Sequence, residues 1–170
     1  LTIKLLEGLI SERPDQSTCM INFTLAYALS MIDRDFKANL ISGESAPLGD
    51  MYPMRAGEIN VLNFAMSEGS KRAIFLLGCI LYSKRHYNEA CDLWERYISE
   101  CPEDYMGWRC AAVAYFSHLN NENRAYEYMK KALKLKPDSD QLMFEMVALM
   151  DKMNIDPKEK IATLLTNPLN

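Results

Sequence analysis

Apolar side chains recur along this chain three and four residues apart, the interval that gathers them on one side of an α-helix. From Lys71 the stripe runs Ile74, Leu77, Gly78, Leu81, then Tyr87, Ala90 and Trp94, and Pro102 ends it. A second stripe runs Trp108, Ala111, Ala112, Tyr115, then Ala125, Met129 and Ala132, and ends at Pro137. Asn/Glu and Pro/Asp clusters separate the halves, so each unit reads as helix, turn, helix, turn. Gly78 and Ala112 are 34 residues apart and Pro102 and Pro137 are 35 apart. The second unit therefore carries one extra residue, most simply in its inter-helix turn around Asn120 to Asn123.

The same reading extends both ways. Met143, Met146, Val147 and Met150, then Ile161, Ala162 and Leu165 after Asp156-Pro157, make a degenerate third unit. Upstream, Ile3 to Ile10 predicts a helix closing at Pro14. Cys19, Phe23, Tyr27 and Ile32 mark a long helix, and Phe36 to Ile41 its partner. The Gly, Ser and Pro content of Ser42 to Pro53 predicts a break, and Arg55 to Ser67 restores a stripe through Ile59, Leu62, Ala65 and Met66. The chain is thus expected to be one helical repeat domain over 1–170: degenerate N-terminal repeats over 1–41, an irregular loop over 42–53, an extra helix over 54–69, full units over 71–104 and 105–139, and a degenerate terminal repeat over 140–170.

From Lys71 onward these residues resemble the tetratricopeptide repeat. Its pattern places a large residue, Leu-Gly and Tyr on the first helix, and Ala, an aromatic, Ala and a closing Pro on the second. Physically, small side chains at Gly78, Ala90, Ala112, Ala125 and Ala132 let helix backbones approach, while Trp94, Tyr115 and Met129 fill the space between pairs. The resemblance implies an all-α fold, an α-α superhelix of about ten helices in stacked hairpins, whose first helices line a concave groove. In that register the groove residues are Arg72, Phe75, Cys79, Tyr82, Arg109, Val113, Phe116, Phe144 and Ala148. The segment Met51-Tyr52-Pro53-Met54-Arg55, with Glu58-Ile59 and Val61-Leu62, more narrowly resembles the repeat-bearing C-terminal part of large bacterial proteins with an uncharacterised, sugar-epimerase-like N-terminal domain. There the segment usually reads Phe-Pro-Asn-Arg, from which Tyr52 and Met54 depart.

Charge and composition narrow the functional classes. With 19 basic and 23 acidic residues the chain is net −4, the wrong sign for tracking phosphates, so no nucleic acid is expected. The apolar run Ala73 to Tyr82 falls short of the roughly 20 residues of a membrane span. Cys19, Cys79, Cys91, Cys101 and Cys110 form no Cys-x-x-Cys, and neither His86 nor His118 stands at ligand spacing from a cysteine, so no metal and no cofactor are expected. An odd set of free thiols fits a reducing, cytoplasmic setting. The opening Leu1-Thr2-Ile3-Lys4 reads as the start of a fragment cut from something longer.

No histidine stands beside a Ser or Cys at useful spacing, and Glu95 with Glu100, or Glu122 with Glu127, read as solvated helix faces rather than acid/base pairs. Met143, Met146, Met150 and Met153 read as core, and Lys130, Lys131, Lys134 and Lys136 as a cluster complementing a helix dipole. A carboxylate clamp is not expected: Phe75 and Cys79 stand where such repeats carry Lys and Asn, leaving Arg72 and Arg109 as isolated cations at the groove edge.

The expected function is therefore non-catalytic docking, on an apolar concave groove, of a protein, a peptide or another domain of the same polypeptide. Phe75, Tyr82, Phe116 and Phe144 are either open to a partner or covered by the chain's own N-terminal helices or a neighbouring domain. The alternative is an accessory segment of a larger bacterial carbohydrate-active protein that helps form or gate its site. Self-association into a homodimer is a third possibility.

Overall fold

The structure, a computed structural model, describes residues 2–46 and 56–165. Among the described residues there are ten α-helices and no strand: α1 (Thr2–Glu12), α2 (Cys19–Ser30), α3 (Lys37–Ser45), α4 (Ala56–Ser67), α5 (Lys71–Ser83), α6 (Tyr87–Glu100), α7 (Tyr105–Ser117), α8 (Glu122–Leu135), α9 (Asp140–Lys152) and α10 (Pro157–Leu165), with a 3-10 turn at Pro14–Gln16. The helices gather into two compact units, 1–84 and 85–170, whose boundary falls in the turn between α5 and α6.

Caps and turns keep the period that the apolar stripe announces. Ser70, Asp104 and Ser139 each accept a backbone N–H with their side chain at the start of α5, α7 and α9, satisfying a donor that has no intrahelical partner. Arg85, Asn120 and Asn154 take left-handed backbone (φ +67°, +51° and +54°) in the turns after those same helices, 35 and 34 residues apart. The link after α5 spans 84–86 and the one after α7 spans 118–121, so the extra residue of the second full unit does lie in that turn.

In the first unit α1 packs on α2, α2 on α3 and α4, and α4 on α5. The core is built from Phe23, Leu25, Leu29, Leu62, Ile74 and Leu76, all essentially buried, each contributing on the order of 2 kcal/mol through removal from water. One boundary differs from the sequence expectation: helix does not break at Ser42 but runs through Ser45. Tertiary contacts overrule local composition there. Gly43 lies so close to Phe23 that a Cβ would stand 2.4 Å from Cε1, and Glu44 reaches across to the start of α5. The remainder of the expected loop, 47–53, and Met54 and Arg55 lie outside the described residues.

In the second unit α6 packs on α7, α7 on α8, α8 on α9 and α9 on α10. Ala90, Ala112, Ala125 and Ala132 are fully buried at the small positions. Gly107 marks a further close approach, since a Cβ on it would lie 2.8 Å from Tyr97 Cδ1. Of the four methionines expected in the core, Met146 and Met150 are fully buried and Met143 and Met153 are half-buried. Tyr87 at the start of α6 stacks flat on His118 at the end of α7, with ring centroids 3.8 Å apart.

Candidate functional site

The first-helix residues of the second unit converge on one cleft. Ala112, Val113 and Phe116 of α7, Phe144, Ala148 and Leu149 of α9, and Met129 of α8 line a cavity of about 170 Å³. Met129, Ala112 and Leu149 are buried and form its floor. Val113, Phe116 and Ala148 are half-buried on its walls. Phe144 stands at the mouth with 75% of its surface in water, the most exposed large apolar residue of the described chain. This arrangement follows from helix geometry: Val113 and Phe116 are three apart on α7, Phe144 and Ala148 four apart on α9, and each pair shares a face.

A charge pair joins the two walls at one end, and a lysine bridges them at the other. Arg109 Nε donates to Glu145 Oε2 (2.9 Å) and its Nη2 to Glu145 Oε1 (2.6 Å), joining α7 to α9. At the other end Lys152 Nζ lies 4.7 Å from the Phe116 ring centroid, donates to the Phe116 carbonyl at 3.4 Å and pairs with Glu122. Arg109 is thus not the isolated cation that sequence spacing implied, because Glu145, 36 residues away, could not be matched to it from the chain alone.

The remaining expected groove residues belong to α5 in the first unit. Phe75 is buried, which rules it out as a contact open to a partner, and Cys79 and Tyr82 are half-buried. Arg72 is also engaged rather than isolated. Its guanidinium Nη1 donates to the Ala46 carbonyl (2.9 Å), and its backbone N–H donates to Glu44 Oε1 (2.9 Å). Burial pushes the nearby Cys19 thiol up in pKa, and Arg72 opposes the shift.

Glu95, expected on a solvated helix face, is instead the hub of a polar cluster. Its Oε1 accepts from Tyr115 Oη (2.6 Å), Tyr128 Oη (3.2 Å) and Arg124 Nη2 (2.6 Å), so α6, α7 and α8 share one carboxylate. The Arg124 guanidinium also lies 4.7 Å from the Tyr115 ring centroid. Burial first, then the hydrogen bond to Glu95, raises the Tyr115 hydroxyl well above its ordinary range. Burial, with Glu95 and Asp92 beside it, pushes the Cys91 thiol up to about 12. Arg124 and Tyr128 stand outside the residues that the repeat pattern singles out, and no periodic rule links Tyr115 to Glu95.

No described helix is long and apolar enough to cross a membrane. Among the described residues no cluster of three or more His, Cys, Asp or Glu is placed to hold a metal ion.

Solved structures of MamA share this fold. The MamA RS-1 ArsTM double mutant aligns over 96% of this chain and 82% of its own, with a TM-score of 0.60 at 14% identity. MamA 41-end from Desulfovibrio magneticus RS-1 aligns over 96% and 80%, with 0.59 at 14%. A further crystal structure of MamA aligns over 95% and 82%, with 0.60 at 13%. MamA is a tetratricopeptide-repeat protein, and the present chain has the same kind of helical fold. No family model matches the chain. The narrower resemblance to the tail of sugar-epimerase-like proteins gains no support from these likenesses, and Met51 to Arg55, which carried it, lie outside the described residues.

Proposed function

We propose that this chain is a non-catalytic docking module whose second unit receives apolar side chains of a protein or peptide in the cleft between α7 and α9. The observation that carries this reading is Phe144: a large ring left three-quarters in water at the mouth of a cavity walled by Val113, Phe116 and Ala148. Such exposed apolar rings beside a preformed cavity are what interaction sites use, since an aromatic anchor gains most where a neighbour can desolvate it. Size sets the occupant. At about 170 Å³ the cavity is below the roughly 300–1,000 Å³ typical of small-molecule sites and accommodates one or two side chains. The paired charges at both ends leave an apolar centre inside a polar rim, the usual anatomy of such interfaces.

The test starts by placing a photo-crosslinking amino acid at position 144 to identify the partner in cells. Calorimetry with the purified partner then compares the wild-type chain with Phe144→Ala. Phe144 is mostly solvated, so its truncation leaves the fold intact, and affinity is expected to drop at least tenfold. Equal affinity with an unchanged circular dichroism melt rejects the cleft as the docking site.

A further inference from the structure

Of the nine residues of α3, Gly43 is buried, while Lys37, Ala38, Ile41, Ser42 and Ser45 are exposed. Besides its packing on α2, this helix is fixed by contacts at its two ends. At its base, Phe36 packs edge-on against Phe64 of α4 (centroids 5.1 Å apart), and Asp35 Oδ1 accepts the Lys37 N–H at 3.0 Å. At its tip, Glu44 Oε2 accepts from Ser70 Oγ (2.6 Å), Glu44 Oε1 accepts from the Arg72 N–H (2.9 Å), and Arg72 Nη1 donates to the Ala46 carbonyl (2.9 Å). The Arg72 amide lies in the first turn of α5, where no intrahelical acceptor exists, so Glu44 satisfies it from outside and complements the positive end of that helix. Between base and tip, Gly43 covers Phe23, a ring with no solvent exposure.

We propose that α3 is a hinged clasp that pivots at Phe36 and latches at Glu44, and whose release uncovers Phe23 together with the Arg72 guanidinium. The inference rests on reading first-helix residues such as Arg72 as part of a docking face. α3 then acts as a built-in occupant of the α5 surface within the first unit. A segment that competes with it must offer what α3 offers: a small residue over the Phe23 ring followed by a carboxylate for Ser70 and Arg72. Local opening costs less than global unfolding because α3 itself buries little apolar surface beyond its seat on α2, and a competing segment shifts the population toward the open form.

Amide hydrogen exchange on the full chain, followed by NMR, tests the clasp without any partner. The amides of Arg72, of Leu40 in α3 and of Ala46 just after it are expected to exchange at one common rate, at least tenfold faster than the central α2 amides of Phe23 to Leu29. Glu44→Ala is expected to raise that common rate at least tenfold more while leaving the α2 amides unchanged, with Glu44→Gln between the two. Arg72 and α3 amides exchanging in the wild-type chain only as slowly as α2 overturns the clasp, as does a Glu44→Ala variant that accelerates α2 equally. Because partner binding is not measured, this failure is distinct from failure of the docking reading, which the Phe144→Ala calorimetry decides.

Discussion

Arg109 and Glu145 form a two-bonded guanidinium–carboxylate pair that ties α7 to α9, with side chains only 22% and 21% exposed. Its fork geometry is specific to arginine, because an ammonium cannot make both bonds in one plane. Removing either partner leaves the other partly buried and unmatched. Arg109→Ala and Glu145→Ala are each expected to destabilise the chain by about 1–3 kcal/mol in urea titration. The double variant should cost clearly less than the two single losses added together. Arg109→Lys should recover only part of the loss. Strict additivity would show that the pair is not coupled.

Two glycines are expected to respond to alanine with opposite sign. Within a helix, Gly→Ala ordinarily stabilises by about 0.5–1 kcal/mol through reduced backbone freedom. Gly8 of α1 has no atom within 4 Å of the position a Cβ would take, so Gly8→Ala should raise the melting temperature. At Gly107 the same Cβ would meet Tyr97 Cδ1 at 2.8 Å and Ile98 Cγ1 at 3.1 Å, which forces α6 and α7 apart. Gly107→Ala should therefore lower it. A shared direction of change would mean that the α6 and α7 contact is looser than described.

The chain announces its helices more plainly than its contacts. Periodicity placed the α7 and α9 stripes so that Val113, Phe116, Phe144 and Ala148 do share one cleft, and the 34 and 35 residue period reappears in the caps and left-handed turns. What escaped were pairings between residues with no fixed spacing: Glu145 on Arg109, Glu95 on Tyr115, Glu44 on Arg72. Each requires knowing which helices touch and at what height. The same gap explains Phe75, whose register position says groove while its surroundings bury it. Gly43 shows the complementary failure, since a residue that weakens helix formation locally is retained in α3 where only a bare Cα fits against Phe23.

Glu95 accepts from three donors on two other helices, so its loss and the loss of one donor should differ. Tyr115→Phe removes one hydroxyl and leaves Glu95 bonded to Tyr128 and Arg124. Glu95→Ala strands the Tyr115 hydroxyl, which sits on a residue only 8% exposed. Leaving a buried donor without an acceptor costs more than deleting the donor. The urea midpoint is expected to fall further for Glu95→Ala than for Tyr115→Phe. The reverse order would contradict the hub assignment.

Alkaline pH offers a probe of the α6 core. Burial first, and then the neighbouring Glu95 and Asp92, raise the Cys91 thiol from the ordinary 9.0 to about 12. The folded chain therefore holds this proton more tightly than the unfolded chain. Stability from this source is complete below about pH 9 and falls as pH climbs from there toward about 12. One proton of difference corresponds to a slope of about 1.4 kcal/mol per pH unit in that window. Tyr115, also raised by burial, adds to the decline at its upper end. Replacing Cys91 with Ala removes one titrating group, so the loss of stability between pH 9 and 11 should be shallower in the variant. A small packing penalty would displace the variant's curve downward without steepening it. Parallel curves for the two chains would mean that the Cys91 thiol ionises as readily in the folded state as in the unfolded one.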